Sequence, residues 1–578
     1  MRYMLLALTF MALACGGLVA ENKPSGLHWE FDVPVRMRDG VRLAADVFLP
    51  AKEGKWPAIL IRTPYGKEGH REEAVFFAQH GFAVVVQDAR GRFESDGEWY
   101  AFSHEANDGY DTIEWAALQP WSNGKVVTMG GSYMAIDQWL AATRRSSHLA
   151  AMVSFVCPSD LYDNALHNGG AFLYGTALTW SMGTGRHARL LEEMNLVSWP
   201  ELFRHLPVEL AAAAGGFEPG FYRDWVEHAS RDAYWMGLSW REIYSKLAVP
   251  VFHVGGWFDL FQQGTIENFE RMTREAPEGT REAQRLVIGP WAHGVFGPKV
   301  GEVDFGKESA IDIRAKELRW LDHYIKGEQN GAENDPPVEV FMMGANQWRS
   351  EKTWPPAQVK PTRFFLHSQS KAKTAVGDGT LSNMEPLEEP PDRFDYDPSN
   401  PVPTHGGGTC CNPLLMPWGA MDQREIESRD DVLVYSTPPL ESALEVMGPV
   451  EVHLFASTTA RDTDWTAKLV DIAPNGFAMN LTDGILRSRF HKSTERPELL
   501  EPGKVYSFVV DAGSTSNVFL KGHQLRLEIS SSNFPRFSRN TNTGNVPEKD
   551  SSFRVAHQTI FHDAARASCI LLWVGENR

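Results

Sequence analysis

The stretch GKVVTMGGSYMAIDQWLAA, residues 124–142, decides the fold, because it predicts a strand, a tight turn and a helix in immediate succession. Residues 124–129 end in an apolar run that is typical of a buried strand, and residues 136–142 can begin a helix. Ser132 lies in the turn between them, and Gly130 stands two residues before it. A small residue is needed there, because strand and helix pack closely at such a turn.

A serine at the centre of a strand–turn–helix is the arrangement of a nucleophile elbow, which presents the serine Oγ at the edge of a sheet. The common pattern has a second Gly two residues after the serine, where this sequence has Met134. Gly-x-Ser turns also occur in loops that have no catalytic role. The motif by itself therefore leaves a structural turn and a catalytic turn both open.

Strands and helices alternate on both sides of this stretch. Residues 58–61 and 82–86 are continuous apolar runs, and residues 72–80 and 105–118 have helical patterns. A hairpin with its turn at residues 39–40 precedes them. Alternating strands and helices predict a parallel, doubly wound α/β sheet.

The strand pattern stops near residue 158 and resumes with apolar runs at 249–254 and 285–288. The intervening segment is rich in Ala, Leu and Trp and has helical stretches at 187–194 and 207–214. We expect it to be a helical cap inserted into the sheet domain. A separate helical domain without a role at the site is the alternative.

After a predicted helix at 311–326, the last 240 or so residues consist of short alternating strands with Gly, Pro and Asn turns, which favour a β-sandwich or jelly roll. The predicted fold class is therefore α/β, an α/β-hydrolase domain with an inserted helical cap and a C-terminal all-β jelly roll. The predicted ranges are a signal peptide at 1–20, the hydrolase domain at 21–157 and 247–328, the cap at 158–246 and the jelly roll at 338–578.

Two later residues complete a candidate catalytic triad with Ser132. Asp259 lies just beyond the first of the two resumed strands, and His293 lies just beyond the second. In this fold the triad follows the chain order Ser, acid, His, and ligands bind at the carboxyl ends of the strands. The order predicts Ser132 as nucleophile, His293 as base and Asp259 as the acid, with the Tyr133 N–H as an oxyanion donor.

Longer stretches around these residues resemble the serine hydrolase family that contains cocaine esterase, X-Pro dipeptidyl-peptidases, α-amino acid ester hydrolases and glutaryl cephalosporin acylases. The resemblance covers nearly the whole chain after the predicted signal peptide. The matching stretches are RTPYG (62–66), QDARGR (87–92), QPWSNG (119–124), GWFD (256–259), GPWAH (289–293), DQR (422–424) and VLVYST (432–437).

The resemblance implies the same three domains and adds site residues. A Tyr hydroxyl is the second oxyanion donor in this family, and by position it is Tyr65. Phe261 holds the spacing of a residue that lines the acyl pocket, although a core Phe is the alternative. Ala135 departs from the family, whose members usually have Gly there. The relatives that hydrolyse α-amino acid esters have acidic residues two and three places after the triad Asp, where this sequence has Phe261 and Gln262.

The net charge and the composition limit the classes of ligand that the protein can bind. The net charge of −18 argues against nucleic acid, which requires basic patches. No His/Cys cluster with zinc spacing is present, so we expect neither a metal nor another cofactor. The expected partner is a small ester, amide or short peptide. The oligomeric state and the redox state of the adjacent Cys410 and Cys411 are left open.

The first twenty residues have the pattern of an export signal, with Arg2, an apolar run at 4–13 and a cleavage position after Ala20. We expect a periplasmic or secreted protein, and a lipid anchor on Cys15 is the alternative. No later segment reaches the roughly 18 apolar residues that span a bilayer.

The sequence thus predicts hydrolysis of small ester or amide substrates through an acyl-enzyme intermediate. An X-Pro dipeptidyl-peptidase is one alternative, and an inactive hydrolase-like binding protein is another. Because Phe261 and Gln262 carry no charge, we expect uncharged acyl groups to be preferred over α-amino acyl groups. Asp160 and Asp163, near the start of the cap, are the residues that could supply the missing charge.

Overall fold

A ten-stranded mixed sheet forms the centre of the N-terminal part of the chain. The computed structural model describes residues 26–185, 197–412 and 414–575. The predicted signal peptide and the predicted helix at 187–194 lie outside the described residues. Within the described ranges, no helix has the length and apolar character needed to cross a bilayer.

The ten strands lie in the order β1-β2-β4-β3-β5-β6-β7-β8-β9-β10. Strands β3 to β9 run parallel, and antiparallel pairs close the sheet at both edges. Their bounds are β1 His28–Arg36, β2 Arg42–Leu49, β3 Trp56–Thr63, β4 Ala83–Asp88, β5 Ser122–Gly131, β6 Leu149–Phe155, β7 Val251–Phe258, β8 Arg285–Ala292, β9 Val338–Met342 and β10 Gln347–Glu351.

Helices cover both faces of the sheet and also form the segment between β6 and β7. Their bounds are α1 Arg71–Gln79, α2 Glu105–Ala117, α3 Tyr133–Ala142, α4 Tyr174–Thr184, α5 Trp199–Arg204, α6 Ala211–Ala214, α7 Gly220–Glu227, α8 Ala233–Gly237, α9 Gln262–Glu275 and α10 Ile313–Leu321.

The apolar runs of the central strands are continuous because both faces of the sheet are buried. Along β3, Ala58 and Leu60 belong to the apolar cluster that contains α2 and α3, whereas Ile59 and Ile61 belong to the cluster that contains α1 and α10. Alternate side chains of a strand point to opposite faces, so a strand between two helical layers needs apolar residues at every position.

Two predicted helices differ from the observed ones. The predicted helix at 207–214 is a 3₁₀ turn at Val208–Leu210 followed by the single helical turn α6, and Gly216, at φ 91°, follows that turn. The predicted helix at 311–326 begins at Ile313, where the Asp312 carboxylate accepts the Ala315 N–H at 2.9 Å. Its last turn, Asp322–Lys326, widens into a π-helix.

The helices between β6 and β7 share their core with the sheet. Their large aromatic side chains lie in the same cluster as the apolar residues of α2 and α3. These buried residues are Trp199, Phe203, Phe221, Tyr222, Trp225, Trp235, Trp240 and Tyr244. The helical segment therefore packs directly onto the face of the sheet that carries α3.

The C-terminal part is a β domain whose apolar core also includes residues of β7, β8 and β9, and the predicted fold class is confirmed. Its strands follow the order β13-β20-β15-β21-β11-β12-β14-β19-β16-β17, with β18 paired to β15. Their bounds are β11 Val359–His367, β12 Thr380–Ser382, β13 Asp392–Tyr396, β14 Leu433–Ser436, β15 Leu444–Thr458, β16 Asp464–Ile472, β17 Ala478–Arg487, β18 Tyr506–Phe519, β19 Gln524–Ser530, β20 Ala556–Asp563 and β21 Cys569–Gly575.

A buried histidine holds two carboxylates together in this domain. The fully buried His562 ring lies between Asp392, whose Oδ2 is 2.9 Å from Nε2, and Glu389, whose Oε2 is 3.2 Å from Nδ1. Burial by itself would lower the pKa of His562, but the two carboxylates outweigh it and raise the pKa above its usual value. The imidazolium form therefore stabilises the folded domain.

This charge arrangement predicts a pH dependence of stability. A folded-state pKa above the unfolded one gives stability that is complete below about pH 6.5 and is lost as the pH rises through the folded value. His562→Gln should therefore destabilise the protein by about 3 kcal/mol at pH 6 and by less at pH 9. Denaturant unfolding at both values of pH measures the difference.

His557→Gln on the same strand is the matched control, because the His557–Asp395 pair is exposed and such pairs contribute little. A cost of His562→Gln that stays equal at both pH values would contradict the assignment of a charged His562.

Candidate active site

Ser132 lies at the junction of β5 and α3 in a backbone conformation that few residues adopt. Its φ of 60° and ψ of −123° fall outside the helical and strand regions. The Ser132 N–H donates to the Phe155 carbonyl at 3.1 Å, and the Ser132 carbonyl accepts from the N–H groups of Ala135 and Ile136. The strand on one side and the helix on the other therefore hold the strained turn in place.

The small residue that the elbow needs is Gly130. A Cβ at Gly130 would lie 2.5 Å from the Cβ of Met134, and the φ of 147° is itself unfavourable for other residues. Met134 is thus accommodated two places after the serine because Gly130 leaves room for it. A Cβ at Gly131 would come within 3.1 Å of the Phe155 Cβ, which also favours glycine.

The three residues of the predicted triad are in hydrogen-bonding contact. His293 follows β8, and its Nε2 lies 3.0 Å from the Ser132 Oγ. Its Nδ1 lies 2.7 Å from Oδ2 of Asp259, which follows β7. Asp259 is buried, and its Oδ1 accepts the Phe261 N–H at 2.7 Å, so the carboxylate is held on both oxygens.

Tyr133 begins α3 directly after the serine. The first N–H groups of a helix have no partner within the helix, so the Tyr133 amide is suited to an incoming anion. Its side chain is anchored on the opposite side, where the hydroxyl donates to Glu105 at 2.6 Å and accepts the Phe102 N–H at 3.0 Å. Glu105 in turn forms a buried ion pair with Arg62.

No local pattern in the sequence signals that Glu105 and Arg62 support Tyr133. Glu105 lies 28 residues before Tyr133 in a helix whose pattern is that of an ordinary amphipathic element. A Glu within a helical pattern does not by itself indicate that it is buried or paired. Its partner Arg62 lies in β3, far from Glu105 in the sequence.

Tyr65, the second predicted oxyanion donor, lies two residues beyond β3, on the same edge of the sheet as Ser132. Its hydroxyl accepts the indole N–H of Trp180 at 3.0 Å, and Ser132 is near enough to oppose the rise in the pKa of Tyr65. Tyr65 keeps 39% of its surface accessible, although many protein atoms surround its side chain. Burial raises the pKa of Tyr65 to about 12, so its hydroxyl keeps its proton near neutral pH.

Phe261 and Gln262 point in different directions. The Phe261 ring packs edge-on against the His293 ring, with centroids 5.4 Å apart, and is therefore next to the triad. The Gln262 amide leaves the site, donates to the Ser514 carbonyl and accepts the Ser514 N–H at 3.1 Å. Gln262 thus ties the loop of the triad acid to the C-terminal domain.

The two carboxylates at the start of the cap already have partners. Asp160 is fully buried, accepts the Ser239 hydroxyl at 2.6 Å and pairs with Arg231 at 3.3 Å. Asp163 pairs with Arg241 at 3.0 Å. Neither is an uncompensated charge that could attract an ammonium group.

A loop of the C-terminal domain packs behind the triad acid. A Cβ at Gly408 would lie 2.9 Å from the Asp259 carbonyl, and Cys410 belongs to an apolar cluster with Leu260. Cys410 and Cys411 form a disulfide.

An α/β sheet with a serine elbow, a His–Asp pair on the next loops and donors facing the serine defines a serine hydrolase of the α/β-hydrolase fold. Residues 39–295 match the X-Pro dipeptidyl-peptidase family S15, and residues 330–571 match the C-terminal non-catalytic domain of X-Pro dipeptidyl-peptidases.

The similarity of the chain to individual proteins points to the same family. The chain is 36% identical to cocaine esterase from Rhodococcus sp. (strain MB1 Bresler) over 542 residues, which cover 89% of this chain and 92% of that protein. The chain therefore belongs to the family of cocaine esterase and the X-Pro dipeptidyl-peptidases.

Two solved structures share the whole architecture. An α-amino acid ester hydrolase superposes with a TM-score of 0.83 at 25% identity, covering 96% of this chain and 98% of that one. An aminopeptidase from a marine sediment archaeon of the Thaumarchaeota also has a TM-score of 0.83 at 25% identity, covering 98% and 99%.

The elbow geometry predicts the effect of a methyl group at position 130. Gly130→Ala should destabilise the protein by about 1–3 kcal/mol and lower the turnover of p-nitrophenyl acetate, because Met134 and α3 must shift. Adding Met134→Gly removes the opposing Cβ and should restore part of the turnover.

Gly297→Ala is the control, since a Cβ there has no atom within 4 Å. Wild-type turnover in Gly130→Ala would show that the close packing of β5 and α3 is not required.

Proposed function

We propose that this serine hydrolase cleaves esters of small, uncharged acyl groups, with Ser132 as the nucleophile of an acyl-enzyme mechanism. The observation that carries the proposal is the His293 ring, which bridges Ser132 at 3.0 Å and Asp259 at 2.7 Å. A serine hydroxyl is a weak nucleophile until a base removes its proton, and this geometry supplies the base together with the group that orients it.

The steps follow from the positions of the atoms. The Ser132 Oγ attacks the ester carbonyl carbon while His293 Nε2 takes the hydroxyl proton, and Asp259 stabilises the imidazolium that forms. The tetrahedral intermediate collapses when His293 returns the proton to the leaving alkoxide. Water then repeats the sequence on the acyl-enzyme, which releases the acid and regenerates Ser132.

Two donors face the position where the oxyanion develops. The Tyr133 N–H lies at the positive end of α3, and the protonated Tyr65 hydroxyl approaches from the loop after β3. Donors that are already oriented interact most strongly with a charge that develops in the transition state. They therefore accelerate the chemical step more than they tighten substrate binding.

Ser132→Ala tests the nucleophile. The variant should fold normally, lose covalent labelling by a fluorophosphonate probe and lose more than about 10⁴-fold in kcat. Ser382→Ala is a matched control, because Ser382 Oγ also lies 3.0 Å from a histidine, His367, which contacts Glu389 at 2.8 Å. Ser382→Ala should keep both labelling and turnover. Labelling of Ser132→Ala at Ser382 would refute the assignment.

The preference for uncharged acyl groups rests on the neighbours of the triad. The aromatic ring that packs against His293 is that of Phe261, and the Gln262 amide is engaged with the C-terminal domain. Both Asp160 and Asp163 are paired with arginines. An ammonium group that entered this space would lose its hydration without gaining a counter-charge.

Matched esters measure this preference. The kcat/KM for a methyl phenylacetate should exceed that for the phenylglycine methyl ester by about tenfold or more, at a pH where the amine is charged. A tenfold advantage of the charged ester would overturn the proposal. Gly-Pro-p-nitroanilide is the third substrate of the series, because efficient cleavage of it would favour the X-Pro dipeptidyl-peptidase that the family match suggests.

A further inference from the structure

A tryptophan of the cap contacts the hydroxyl of Tyr65. Trp180 lies in α4, and its Nε1 is 3.0 Å from the Tyr65 oxygen. An indole N–H can donate but cannot accept, so the Tyr65 oxygen is the acceptor in this bond. That bond leaves the proton of the Tyr65 hydroxyl for another partner, and Ser132 is close enough to the same hydroxyl to affect the pKa of Tyr65.

The Trp180 ring is held in place by an aromatic stack. It lies nearly parallel to Phe102 with centroids 6.1 Å apart, to Tyr133 at 5.9 Å and to Trp225 at 5.9 Å. Tyr133 is the residue whose backbone N–H is the other proposed oxyanion donor. One cap side chain therefore contacts both residues that supply donors to the oxyanion.

A second contact links the same helix to the same loop. The buried Arg92 guanidinium donates to the Pro64 carbonyl and to the Thr184 carbonyl, each at 2.7 Å. Pro64 immediately precedes Tyr65, and Thr184 is the last residue of α4. The distance between helix and loop is thus fixed independently of the Trp180 contact, which leaves the indole N–H to set the direction of the hydroxyl.

We propose that Trp180 is the positioning residue of the oxyanion hole: its indole N–H occupies the Tyr65 oxygen and directs the Tyr65 O–H toward the oxyanion that forms on the Ser132 adduct. The proposal rests on the proposed donor role of Tyr65. A hydrogen bond received by a hydroxyl also polarises its O–H and strengthens the bond that it donates. The inserted cap is then a part of the catalytic machinery and not only a cover.

A double-mutant cycle tests the coupling with p-nitrophenyl acetate, whose acyl group is small. Tyr65→Phe should lower kcat by about 10²–10³-fold with little change in KM. Trp180→Phe keeps a stacking ring but removes the N–H, and it should lower kcat by about tenfold. In the Tyr65→Phe background, Trp180→Phe should change kcat by less than about twofold, because the hydroxyl that it orients is absent.

A closer analogue of tryptophan separates the effect of the Trp180 N–H from the effect of its ring packing. Site-specific incorporation of 3-benzothienylalanine at position 180 keeps the bicyclic shape and puts sulfur in the place of the N–H. It should reproduce the loss seen in Trp180→Phe. The same replacement at Trp225, which stacks on Trp180, is the control and should leave kcat within about twofold of the wild type.

The outcomes distinguish this inference from the proposed function. If Tyr65→Phe retains normal kcat, the donor role of Tyr65 is wrong, and the inference fails with it. If Tyr65→Phe is slow but Trp180→Phe is equally costly with and without Tyr65, or costs nothing, the mechanism stands and the positioning role of Trp180 is overturned.

Discussion

The backbone of Ser132 is the constraint on which the rest of the structure depends. A residue with φ of 60° between a strand and a helix is unfavourable by itself, so β5 and α3 must be packed firmly enough to maintain it. That packing requires Gly130 on the strand and accommodates Met134 on the helix. The same turn places the Ser132 Oγ above the carboxyl edge of the sheet and the Tyr133 N–H beside it. Every other part of the site is arranged around these two groups.

The helical segment between β6 and β7 and the C-terminal domain both contact residues that support the site. The cap contributes Trp180 to the Tyr65 hydroxyl and shares its aromatic core with α3. The C-terminal domain holds the loop of Asp259 through the Gln262–Ser514 hydrogen bonds and through the loop that contains Gly408. A triad requires positions accurate to a fraction of an ångström, and loops at the end of a sheet do not achieve this without such support. This explains why the C-terminal domain, although it contributes no residue to the triad, is packed against the triad acid.

The pairing of carboxylates with arginines supports the proposed preference for uncharged acyl groups. Three carboxylates have partners in the protein itself: Glu105 interacts with Arg62 and Tyr133, Asp160 with Arg231, and Asp163 with Arg241. The aromatic Phe261 ring packs against His293, and the Tyr133 N–H and the Tyr65 hydroxyl are the proposed donors. A cleft of this kind stabilises a negative charge that develops on the substrate, whereas it offers little to a positive charge that the substrate brings. Ester hydrolysis and the proposed preference for uncharged acyl groups would then have the same origin.

The sequence by itself determined the sheet, the elbow and the order of the triad. Buried strands are continuous apolar runs, and parallel strands end at one edge, so Ser132, Asp259 and His293 could be placed together from local patterns. The place of Tyr65 came from the family resemblance. Only the tertiary structure shows which side chains from other domains hold these residues in position. Trp180 lies 115 residues from Tyr65, and Gln262 lies 252 residues from Ser514. Such contacts leave no periodicity in the chain, because a side chain that orients another across domains follows the packing of whole elements and not the repeat of any one of them.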